Sequence, residues 1–217
     1  MRSLVVIRRR LGMVIVVATV TSIGVGYAAS LGLSSNQLYA WSQPLTKGTC
    51  NQTSTTADDT YVQQANPTST AGGTATTLTI DRTAGSQSYA FIRFNLSGCN
   101  LPTTAGADTA ALTVNVTSKG NDTISLFPVT SNWSSSTLNW NGVSGLTIGS
   151  TATGTFSGNS TGAKTVTVTA DVDTAIKAGA LWGWELRATS GNATVVIGAA
   201  ENGTAANRPS MTLSYEK

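Results

Sequence analysis

Between Asp58 and the C-terminus, apolar and polar residues take turns in a series of short runs. Tyr89 to Leu96 is the clearest. Ala90, Ile92, Phe94 and Leu96 share one face, and Phe91, Arg93 and Asn95 the other, the period of two that a half-buried strand requires. Ala110 to Thr117 repeats the pattern with Ala110, Leu112, Val114 and Val116 inward, and Lys164 to Thr169 with Val166 and Val168 inward. Further strand-like runs are Asp59 to Gln63, Thr76 to Asp81, Thr123 to Val129, a short one near Thr153 to Phe156, Leu181 to Ala188, Thr194 to Ala199 and Ser210 to Tyr215. Gly, Asn and Pro punctuate the gaps. Only Asp171 to Gly179 has helical spacing, through Val172, Ala175 and Ile176, with Asp171 where an N-cap belongs and Gly179 where a helix stops. The pattern predicts an all-β fold, a β-sandwich or jelly roll of about nine to ten mainly antiparallel strands.

The N-terminus follows different rules. Met1 to Arg10 is basic, Leu11 to Val25 is an apolar run, and small residues follow at Ala28, Ala29 and Ser30. Residues 1–30 therefore read as a signal peptide. If uncleaved, they read as an anchor helix of roughly the 17–20 residues that span a bilayer. Residues 31–49 lack periodicity and read as an extended mature N-terminus, leaving residues 50–217 as the domain. The expected location is secreted, or at the cell surface through the N-terminal segment, which is also the expected membrane contact. An exported chain meets an oxidising environment, so Cys50 and Cys99, the two cysteines, are expected to form a disulfide.

Charge alters the picture once the leader is set apart. The formal charge is +3, but four of the thirteen basic residues are Arg2, Arg8, Arg9 and Arg10; nine then remain against ten acidic residues, a net of −1. No basic patch argues for nucleic acid as a partner. Histidine is absent, which removes the commonest general base and zinc ligand. Asp58-Asp59 and Asp171-Val-Asp173 lack the spacing of a calcium loop, and two thiols without His make at best half a metal site. No metal or cofactor is expected. The interior glutamates, Glu185 and Glu201, sit in no recognisable catalytic motif, so no enzyme is expected.

Several landmarks in order resemble the DNRLRE domain, a disaggregatase-related β-sandwich counted among carbohydrate-binding modules. They are Asp59-Thr-Tyr-Val62, Tyr89-Ala-Phe-Ile-Arg-Phe-Asn-Leu-Ser97 with Leu101-Pro102, and Ala110-Ala-Leu-Thr-Val114. Phe127-Pro-Val129, Trp133 to Trp140, Trp182-Gly-Trp-Glu-Leu186, Glu201, Arg208-Pro209 and Leu213-Ser-Tyr215 continue the series. The chain departs from the family pattern at Ser135, where an acid is usual, and at Asn66-Pro67, where an Asn-Gly-type turn is usual. The resemblance implies a secreted or cell-surface, non-catalytic module that binds a polysaccharide or cell-wall glycan. The other readings open at this point are a structural surface, adhesive or fibre subunit that binds itself or other surface proteins and, further off, a glycan-degrading enzyme.

Two sets of residues are candidates for ligand contact. Trp133 and Trp140 either form a stacking platform for sugar rings or plug the end of the sandwich. Trp182, Trp184 and Leu186 share one strand parity and are expected in the core. Arg93, Glu185 and Arg187 then point the other way, where two guanidinium groups either hold the carboxylates of an acidic glycan or pair ionically across an ordinary solvated face.

Overall fold

Alternation becomes strand throughout the computed structural model, which describes residues 4–8, 14–18, 46–53, 55–102 and 105–216. The chain divides into two units, Met1–Thr46 and Lys47–Lys217. In the first, strands β1 (Leu4–Arg8) and β2 (Val14–Ala18) pair antiparallel. The described part of the expected leader helix is thus strand; the rest of residues 1–45 lies outside the described residues. Among the described residues, no helix is long and apolar enough to cross a membrane.

In the second unit the described strands are β3 (Lys47–Gln52), β4 (Ala57–Gln63), β5 (Thr77–Ile80), β6 (Ser88–Phe94), β7 (Gly106–Ser118), β8 (Thr123–Pro128), β9 (Gly154–Ser157), β10 (Gly162–Thr167), β11 (Trp184–Ser190), β12 (Val195–Gly198) and β13 (Ser210–Glu216). One helix, α1 (Thr169–Ala178), links β10 to β11. All strand pairs are antiparallel. One sheet runs β3-β13-β7-β12-β5, with β10 also on β7; the other runs β4-β6-β11-β8-β9.

The two sheets share one core. Ala110, Leu112, Val114 and Val116 of β7, Ile197 of β12 and Leu213 of β13 pack in the same cluster as Ile92 and Phe94 of β6, Leu126 of β8 and Trp184 and Leu186 of β11. The strand beyond those expected is β3, which lacks apolar alternation and is held by its ladder to β13 from Met211↔Gln52 to Glu216↔Lys47. A disulfide joins its Cys50 to Cys99, 49 residues on. In the chain-entropy model a closed loop of that size stabilises by on the order of 4 kcal/mol.

The helix ends as expected, with Gly179 in the left-handed conformation at φ 72°. Its start differs: the cap position is Val168, and Asp171 lies within the first turn. The Asp171 carboxylate instead accepts from the indole Nε1 of Trp184 at 2.7 Å and from Thr153 Oγ1. It satisfies the one polar atom of the largest fully buried side chain.

Candidate functional site

The outer face of the five-stranded sheet carries Asp58, Thr60 and Val62 from β4, Tyr89, Phe91 and Arg93 from β6, Glu185 and Arg187 from β11, and Ser125 and Phe127 from β8. The register fixes the rows: Asp58 opposite Arg93, Thr60 opposite Phe91, Phe91 opposite Glu185, Glu185 opposite Phe127. Because Leu186 pairs with Ala90, Tyr89 and Arg187 are the next neighbours across β6 and β11. A sheet face so rich in aromatic residues needs a cover. The connection between β8 and β9 supplies it, burying Trp133 and Leu138 with Val62, Phe91 and Val129 in a second apolar cluster.

Trp133 is therefore core, 5% exposed. Its Nε1 donates to the Trp182 carbonyl at 2.7 Å, and its ring lies 5.7 Å from that of Phe91. Ser135, the position without the usual acid, follows closely: a Cβ at Gly73 would meet its carbonyl oxygen at 2.2 Å, so the cover lies tightly on the chain there. Trp140 opens a short 3-10 helix, Trp140–Gly145, capped by the Asn139 side chain accepting from Gly142 N at 3.0 Å. It is only half-buried, and its ring centroid lies 4.9 Å from that of Tyr89, also half-buried.

The two arginines differ. Arg93 donates from Nε at 2.9 Å and Nη2 at 2.6 Å to Asp58 Oδ2, and from Nη1 to Asn132 Oδ1 at 3.3 Å. Its guanidinium also lies 4.9 Å from the Trp133 ring centroid and 5.7 Å from that of Trp182. Its donors and its charge are largely committed. Arg187 rests on the Phe127 ring at 3.9 Å, a cation–π contact that sets its plane, and its side chain stays 34% exposed. Its ionic neighbour is Glu185, Nε to Oε2 at 3.6 Å, too long for a hydrogen bond. Glu185 is 1% exposed, and Oε2 has no hydrogen-bond partner among the described residues. Burial pushes its pKa up, against the opposing pull of Arg187.

Trp182 departs from the expectation that it shares the core with Trp184 and Leu186. Gly183 has φ 76°, which breaks the alternation one residue before β11 and turns Trp182 onto the outer side with Trp133 and Trp140.

This covered sheet face, with an aromatic pair and a partly open guanidinium at its rim, lies within a recognisable sequence pattern: the model for carbohydrate-binding module family 96 matches residues 51–215. The chain belongs to that family. No curated protein matches it. The family is one of binding modules, which establishes the coarser part of the resemblance noted above.

The family 96 module has, beside this face, a cleft of about 930 Å³ between Asn95–Pro102 and the C-terminal end of α1, whose lining includes Asp58, Arg93, Asn100, Leu181 and Trp182. Its one guanidinium is the committed Arg93. Around Arg187 the chemistry is more open: a pre-set cation and, beside it, the half-buried Tyr89 and Trp140 rings, tilted 36° to each other. All five sequence candidates, Trp133, Trp140, Arg93, Glu185 and Arg187, thus lie on one sheet face or its cover, but Trp133 and Glu185 are buried, and Arg93 is committed to Asp58 and Asn132. Tyr89 was not singled out from the sequence, although it shares its parity with Phe91 and Arg93.

Proposed function

We propose that the module binds polysaccharide without acting on it, at the rim of the outer face where Trp140, Tyr89 and Arg187 meet, and that the preferred polymers carry uronate-type carboxylates. The observation that carries this reading is the state of Arg187. Its guanidinium is oriented by Phe127, while its terminal nitrogens donate no hydrogen bond to any described residue. A carboxylate takes two parallel N–H donors from such a fork, and the half-exposed rings beside it offer an apolar surface to the C–H face of a sugar. Glu185 lies buried 3.6 Å from Arg187 Nε and takes no hydrogen bond from it, so the terminal nitrogens of the guanidinium remain for a ligand.

Family membership supports glycan binding as the class of function, and the enclosure of Glu185 argues against a catalytic role for it. The likeness to the DNRLRE domain and export to the cell exterior belong to the same proposal, the latter supported by the basic-apolar leader and the Cys50–Cys99 disulfide. Retention on immobilised acidic and neutral polysaccharides, measured at low and high salt, tests the assignment. The expected result is retention on the acidic polymers that falls as salt rises. Equal retention on both classes, or binding insensitive to salt, rules out the carboxylate part; no retention on any polysaccharide rules out the whole reading.

A further inference from the structure

We infer that a polysaccharide attached at the rim continues onto the end of the module, where Lys119, Asn121, Asn159 and Asn192 hold its next sugar units; this deepens the reading above and rests on it. Three connections meet at that end: residues 119–122 between β7 and β8, 158–161 between β9 and β10, and 191–194 between β11 and β12. Each carries the chain from one sheet to the other. Gly120 N donates to the Gly158 carbonyl at 3.0 Å, Gly158 N to the Asp122 carbonyl at 2.8 Å, and Ala193 N to Asp122 Oδ1 at 3.0 Å. A Cβ at Gly120 would press on the Thr194 carbonyl oxygen, and one at Gly191 would collide with the Asp122 carboxyl. The three turns are thus fixed to one another.

Between them lies a depression of about 540 Å³ whose lining includes Lys119, Asn121, Asn159 and Asn192. Asparagine in a turn usually has a local reason: its side chain accepts from a backbone N–H two or three residues on, or its backbone takes the left-handed conformation. The chain uses both elsewhere. Asn95 accepts from Ser97 N at 2.9 Å, Asn139 from Gly142 N at 3.0 Å and Asn202 from Thr204 N at 3.0 Å, and Asn100 has φ 48°. Asn121, Asn159 and Asn192 do neither. Their side chains make no hydrogen bond among the described residues, where Asn100 is the one non-glycine residue of positive φ. Lys119 is exposed and likewise has no described partner. Three amides that both donate and accept, as a sugar hydroxyl does, are therefore left uncommitted around one cavity. Lys119, the charged residue of its lining, suits a polymer that carries carboxylates.

Strand β11 leads from the rim to this cavity. Arg187 lies opposite Ser125 of β8, Ser190 lies opposite Thr123, and both strands then enter the turns. From Arg187 to Gly191 the chain covers about 13 Å at roughly 3.3 Å per residue, longer than a disaccharide. The rim anchors the polymer by charge, and the turns read the units beyond the anchor.

Calorimetric affinity of the full chain for oligogalacturonates and oligomannuronates, as di-, tetra- and hexasaccharides, tests this, with Arg187→Ala and the triple variant Asn121→Ala/Asn159→Ala/Asn192→Ala alongside. Wild-type affinity is expected to rise with length. The triple variant removes exposed, unbonded side chains, so it is expected to keep the wild-type Tm and disaccharide affinity and to lose at least about tenfold on the hexasaccharide. Arg187→Ala is expected to lose affinity at every length. In the wild type, the side-chain amide NMR signals of the three asparagines are expected to shift with the hexasaccharide and not with the disaccharide. Unmoved signals, or a triple variant that binds the hexasaccharide as tightly as wild type, overturn the inference and leave the rim standing. A wild type that binds none of these sugars overturns the rim reading and this inference with it.

Discussion

At the scale of single residues, adjacent positions in β4 meet opposite fates. Asp58 turns out to an arginine and is ion-paired; Asp59 turns in and its pKa rises to about 7. The sign of the resulting pH dependence follows from the direction of the shift. A carboxyl whose folded pKa lies above its ordinary value of 3.8 contributes stability that is fully present below that value and is lost as pH rises through about 7. The wild type is therefore expected to be more stable at pH 5 than at pH 8. Between those two pH values the difference is roughly 2–3 kcal/mol, about two units at 1.36 kcal/mol each. Asp59→Asn is expected to flatten that slope, and chemical denaturation at the two pH values checks it. Unchanged slopes in wild type and variant would show that Asp59 does not titrate as described.

Arg93 and Arg187 illustrate how far sequence reading reaches at this scale. Their shared parity with Glu185 and Phe91 is visible in the alternation of β6 and β11. What distinguishes them is not. Arg93 loses its donors to Asp58 and Asn132, 35 and 39 residues away, and Arg187 lies on Phe127 from another strand. The bond from Ala200 N to Asp59 is equally hidden, since its partners lie 141 residues apart and no spacing motif joins them.

At the scale of elements, strands with a buried apolar set are legible because the period of two leaves few alternatives. Strands β6, β7 and β13 are of this kind. Strand β3, Lys-Gly-Thr-Cys-Asn-Gln, has no such set and exists through its partner β13. The 129–153 connection reads as irregular because its apolar residues, Trp133, Leu138, Trp140 and Val143, cover a sheet face instead of following a period. Gly183 decides where Trp182 goes. At φ 76° an L side chain is strained, and a Cβ would lie 2.0 Å from the Ile92 carbonyl oxygen. Gly183→Ala is expected to cost a few kcal/mol, combining backbone strain with that collision, and to release Trp182 from its position beside Arg93. Denaturant melts measure the first effect and tryptophan fluorescence the second; a variant as stable as wild type would contradict this role for the glycine.

At the scale of the whole molecule, the two sheets have different tasks. The six-stranded sheet has an outer face of threonine and serine, as in the Thr113–Thr165 pair at 3.0 Å and the Thr109–Ser214 pair at 2.7 Å. Those hydroxyls largely satisfy one another. The five-stranded sheet holds its aromatic residues and both of the arginines expected at the face, and the β8–β9 connection closes over most of them. The rim formed by Trp140, Tyr89 and Arg187 stays partly open and carries the guanidinium that is not hydrogen-bonded. Binding, on this account, is a property of that rim, and the buried cluster beneath it is the support that keeps the rim in place.

Comparing wild type with Arg187→Ala for affinity toward an acidic polysaccharide, with thermal unfolding of both proteins alongside, tests whether the rim binds carboxylates through Arg187. Loss of a charge-assisted bidentate contact is worth about 1.5–3 kcal/mol, so affinity is expected to fall by roughly 10- to 150-fold with little change in Tm. Undiminished affinity in Arg187→Ala would contradict the claim.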